Sequence, residues 1–108
     1  MPETDEIVQT IGQLEARLEE LTVRGLRSAG PEQLAALTAL REEFERIGAD
    51  HLAGRIAELV AALRNDDPKA APALLRTQAS LSVFERVLTL ETAAEALRAL
   101  LPEEERQA

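Results

Sequence analysis

His51 is the single histidine in a chain of 108 residues that has no cysteine, tryptophan or tyrosine. A zinc site draws its ligands from several Cys, His and carboxylate side chains, and one histidine without cysteine completes none of the familiar sets. The di-metal carboxylate pattern of helical bundles needs a glutamate three residues before its histidine. Gly48 stands there. As a general base, His51 would need a partner of matching type placed against it, and an isolated histidine without one has no catalytic geometry. It is read as a surface residue near a helix start. The carboxylates Glu15, Glu19, Glu20, Glu42, Glu43 and Glu45 are numerous, but paired acids do acid–base work only where burial separates their pKa values. These fall away from the leucine stripes and have arginines nearby, which reads as solvated helix faces. Ser28, Ser80 and Ser82 lack an adjacent base, and no Gly-x-Ser-x-Gly elbow or phosphate-cradling glycine loop occurs. The chain is expected to be no enzyme, with no catalytic, cofactor-binding or metal-binding residues and no cofactor.

Charge narrows the partners further. Twelve Lys and Arg against twenty Asp and Glu give a formal net charge of -8. Nucleic acid and anionic membrane surfaces both require clustered cations, and no such stripe occurs, so neither is an expected partner. No apolar run approaches the ~20 residues that span a bilayer. The acidic start MPETDEIVQT has neither the basic nor the apolar region of a signal peptide. The expectation is a cytoplasmic protein, with an Ala/Leu/Arg/Glu bias of bacterial character.

Along the chain the apolar pattern is helical throughout, and no strand alternation is present. The first helix is expected to open at Thr4 or Asp5, where a side-chain oxygen caps and acids suit the positive end. It carries Ile7, Ile11, Leu14, Leu18 and Leu21, with Glu20 and Arg24 paired one turn apart, and ends by Gly25 and the Ser28–Pro31 stretch. Pro31 begins a second helix that buries Leu34, Leu37, Leu40, Phe44 and Ile47 and closes on a left-handed Gly48. Asp50 is expected to cap a third helix with Leu52, Ile56, Leu59, Val60 and Leu63 inward. After the Asn65–Pro68 turn, a fourth helix faces Leu74, Leu75, Leu81, Phe84, Val87 and Leu88 inward. Thr92 and Glu95 have the spacing of a capping box for a short fifth helix through Leu97 and Leu101, followed by a charged tail over Glu103–Arg106. The expected fold is all-α: an antiparallel up-down four-helix bundle over residues 1–90, with a short C-terminal helix and acidic tail over 91–108.

The stripe on the first helix spaces its residues four and three apart, the pattern of a coiled-coil seam. It extends over about two heptads, fewer than the three or four that define a coiled coil. Core packing and a homodimer seam through Leu14 and Leu18 are both compatible with it. Leu97 and Leu101 on the last helix are a second candidate contact.

Over about residues 5–90 the chain resembles a histidine phosphotransfer (HPt) domain. The residues that carry the resemblance are Ile47-Gly48-Ala49, Leu52-Ala53, Glu58-Leu59, Ala62-Leu63-Arg64, Asn65-Asp66, Ala70–Leu75 and Phe84–Leu88. In that family a His-x-Leu-Lys-Gly motif precedes the Gly-Ala break. Thr38 stands at the position of the phosphoacceptor histidine, Leu40 matches the motif leucine, Arg41 replaces the lysine and Glu42 replaces the glycine. Threonine has no imidazole to phosphorylate, and Glu42 adds negative charge where an acidic receiver pocket would approach. The resemblance therefore implies a degenerate docking module, with an exposed face at Thr38, Arg41, Glu42 and Glu45.

Taken together, these readings favour a non-enzymatic helical interaction module that binds a protein partner or a second copy of itself. The alternative is an HPt-like docking module of a two-component signalling pathway.

Overall fold

A computed structural model describes residues 4–103. Its elements are α1 (Thr4–Arg24), a short 3-10 turn (Leu26–Ser28), α2 (Pro31–Ile47), α3 (Asp50–Arg64) and α4 (Ala70–Leu100). Among the described residues there is no strand, and the helices form a bundle in which α2 packs on α3, α3 on α4, and α1 on both α2 and α4.

The core follows from the leucine spacing. Ile11, Leu14, Leu18 and Leu21 of α1 are buried with Leu37, Leu40 and Phe44 of α2 and Leu52, Ile56, Leu59 and Val60 of α3. Such residues recur every three or four positions and so share one face of each helix. Phe44 meets Phe84 of α4 edge to face, with ring centroids 6.0 Å apart.

Glycine and proline set the breaks. Gly25 (φ 93°) ends α1, and Gly48 (φ 96°) closes α2 in the left-handed conformation that side chains resist. Pro31 occupies the first turn of α2. The Glu20–Arg24 pair forms at 3.7 Å.

Four local expectations change. Ala49, not Asp50, precedes the first turn of α3, and no side chain caps it. Leu75 and Val87 point outward; Ala73 and Thr77 are buried on either side of Leu75, and Phe84 and Leu88 pack on the core beside Val87. Small side chains let α4 approach α3 closely, which turns the helix away from the leucine-only face. Thr77 makes this tenable by sharing its buried hydroxyl hydrogen between the carbonyls of Ala73 (2.8 Å) and Arg55 (3.2 Å). The fourth change is that the break expected at Thr92 is missing. The Thr92 hydroxyl donates to the Leu88 carbonyl one turn back (2.9 Å), as threonine does inside a helix. No proline or glycine interrupts the chain between Pro72 and Pro102, so the fourth and expected fifth helices are one helix of 31 residues. The charged tail lies, from Glu104 on, outside the described residues, as does the capping side chain expected at Thr4.

Candidate interaction surface

The length of α4 creates the most distinctive surface. At 1.5 Å per residue it is about 46 Å long, whereas the fifteen residues of α3 span about 22 Å. Beyond Leu88 it leaves the core, and between Thr89 and Leu100 only Ala94 is partly shielded. The apolar residues do not stop with the core. Val83 is 59% exposed, Val87 46%, Leu90 64% and Leu97 65%. With Ala94 they are spaced 4-3-4-3, a single stripe on one face of the helix.

Toward the bundle the stripe runs into an open groove of about 600 Å³ between α4 and the start of α3. Val83, Val87 and Phe84 form one wall, while Gly48, His51 and Leu52 form the other. Arg55 and Arg76 stand at its far end, both drawn to Glu58 at 3.2 and 3.9 Å. His51 is exposed on the groove's rim.

The candidate residues separate into three places. Leu14 and Leu18 are fully enclosed in the bundle core, so neither is accessible to a partner of the folded chain. Leu97 lies on the exposed stripe, and Leu101 follows the last turn, where its amide donates to the Arg98 carbonyl. Thr38, Arg41, Glu42 and Glu45 share the outer side of α2. Thr38 is half-buried rather than exposed, and its hydroxyl donates to the Leu34 carbonyl (2.9 Å). Arg41 is held by Glu45 at 2.7 Å and lies 3.9 Å from Glu42. That face is polar and internally paired.

A feature missing from the sequence reading is the meeting of Glu15 on α1 with Glu85 on α4, in a shallow groove also lined by Thr22, Gln78 and Ser82. Glu85 is pushed up to about 7, chiefly by a hydrogen bond with Glu15, then by burial and by the Glu15 charge. Seventy residues separate the two, so no local spacing announces them. Perturbed carboxyls do occur at functional sites; the Thr22 hydroxyl in this groove donates to the Leu18 carbonyl (3.0 Å). Among the described residues no group of three His, Asp or Glu side chains could hold a metal ion, and no helix is long and apolar enough to cross a membrane.

A scan against protein-family models and searches of curated proteins and of solved structures gave no match for this chain.

Proposed function

We propose that this protein is a non-enzymatic, cytoplasmic interaction module whose working surface is the outward face of α4. The observation that supports this reading is the row Val83, Val87, Leu90 and Leu97, each about half exposed or more and all on one side of a helix that outruns its bundle. A soluble domain seldom leaves a contiguous apolar strip uncovered unless something docks on it. An amphipathic helix with anchors at three- and four-residue spacing is a recurrent way of binding another helix. In this reading the bundle is an antiparallel up-down scaffold. Glu6 near the start of α1 lies 3.8 Å from Arg46 near the end of α2, and Arg17 reaches Gln33 near the start of α2 at 3.0 Å. Those pairs and the short connectors support that arrangement.

The test is to replace Leu90 and Leu97 by glutamate and to measure both assembly and fold. Loss of every protein contact, with helix content kept, is the expected result. Unimpaired binding by this variant would remove the reading.

The second reading, a degenerate HPt-like docking module, draws on Thr38, Arg41, Glu42 and Glu45 lying along one side of α2. It predicts binding to a receiver domain without phosphate transfer. If Thr38→His with Glu42→Gly leaves receiver binding unchanged, that face is not the contact.

A further inference from the structure

We infer that the occupant of the α4 face is a second copy of this chain, joined through a parallel two-stranded coiled coil over Val83–Leu97. The inference rests on the docking reading above and names its partner.

Three observations favour a copy over an unrelated helix. The first is the identity of the seam residues. In heptad terms, with Val87 and Ala94 at position a, the d positions are Val83, Leu90 and Leu97. Val87 with Leu90 is the combination, β-branched at a and leucine at d, that suits parallel dimers, and Leu97 repeats the leucine at d. The small Ala94 brings the two backbones close between Leu90 and Leu97.

Charge complementarity is the second. In a parallel pair each g position faces the e position five residues further along the other helix. Arg86 is at g and Glu91 at e, both exposed on α4. Arg86 of each copy therefore meets Glu91 of the other, twice by symmetry. The next pairing sets Ala93 against Arg98, which is neutral to the interaction. No like charges face one another. By contrast, the antiparallel alignment that sets Val87 against Leu97 and Leu90 against Ala94 brings Glu91 against itself.

The third is continuity with the groove. The seam does not begin at the free end of the helix; it begins at Val83 and Val87, beside the start of α3. A second α4 lying along the stripe is flanked there by His51 and Leu52, so bundle and overhang both contribute to the contact. A two-fold axis parallel to the helices repeats this on the other copy, the isologous arrangement that closes at two. A free coiled coil of two heptads is too short to be stable, but here both helices are already nucleated and aligned by their bundles, which removes much of the ordering cost.

Sedimentation equilibrium on the full chain is the deciding measurement. The expected mass is twice 11.8 kDa. Leu90→Glu with Leu97→Glu should weaken the dimer by roughly 100-fold or more, since charges are forced into an apolar seam. Because both leucines are exposed in the single chain, circular dichroism should show the fold intact. Glu91→Arg should weaken association about fivefold, and adding Arg86→Glu should restore it. The chain has no cysteine, so Leu97→Cys reports orientation directly: a parallel pair forms an intermolecular disulfide on mild oxidation, whereas failure to cross-link overturns the parallel arrangement. A monomer at every concentration overturns the self-pairing and leaves the docking face in place for another partner. A dimer unaffected by the Leu90 and Leu97 substitutions has its interface elsewhere and overturns both.

Discussion

Glu85 shows how a single contact sets a pH dependence. Its carboxyl is raised from an ordinary 4.5 to about 7, mainly by the hydrogen bond with Glu15, so the folded chain keeps a proton that the unfolded chain has lost. The associated stability is full below the unfolded value and disappears as pH rises through about 7. Thermal melts from about pH 5 to about pH 8 should fall in the parent and stay nearly flat in Glu85→Gln, which keeps the hydrogen bond without the charge. A parallel decline in both would assign the effect to another group. In the core, Phe44 is fully enclosed and touches Phe84. Phe44→Ala should cost about 3–5 kcal/mol in denaturant unfolding, through lost burial and the cavity left behind. Gly48→Ala leaves no cavity but places a side chain at φ 96°, and should cost about 1 kcal/mol.

At the scale of the elements, α4 is two structures in series. Its first half is tied to the core by Leu74, Thr77 and Leu81, while residues after Leu88 touch almost nothing. Ala94→Pro removes a backbone donor and clashes with the preceding turn, about 3 kcal/mol inside a helix. In the monomeric Leu90→Glu, Leu97→Glu background the expected result is loss of helix signal from the C-terminal turns, with the main unfolding transition unmoved. A lowered main transition would mean that the overhang supports the bundle. The same division explains what the sequence could and could not convey. The stripes on α1, α2 and α3 were legible because each helix buries one continuous row of large residues, and Gly48 and Pro31 mark breaks that backbone geometry enforces. On α4 the rule failed. Its buried face uses Ala73 and Thr77, whose small size matters only against α3, and its leucines outside the core serve no internal packing. Thr92 and Glu95 imitate a helix start, yet a capping box needs a preceding break, and nothing before Thr92 interrupts the helix. Of the contact candidates, Leu97 proved accessible, while Leu14 and Leu18 became core. The 4-3-4-3 spacing is common to a bundle stripe and a dimer seam, so spacing alone cannot separate them.

Considered as a whole molecule, the chain measures 57 × 21 × 20 Å with a radius of gyration of 16.7 Å. A compact domain of this length has a radius of about 13 Å. Small-angle scattering on the Leu90→Glu, Leu97→Glu variant should return a value near the observed one, with a distance distribution tailing to the full molecular length. A value near that of a compact domain would place the end of α4 folded back on the bundle. The elongation also governs how the molecule rotates. A helix of about 46 Å fits only along the longest axis of such a body, so the amide N–H vectors of α4 lie close to the axis of slowest reorientation. Spinning about that axis leaves them unmoved, and only end-over-end tumbling relaxes them. An amide whose N–H lies across that axis feels both motions. In a nitrogen-15 relaxation experiment on the Leu90→Glu, Leu97→Glu variant the ratio of transverse to longitudinal rates should therefore be higher along the core-packed half of α4 than for amides lying across that axis, a pattern that chain orientation alone imposes.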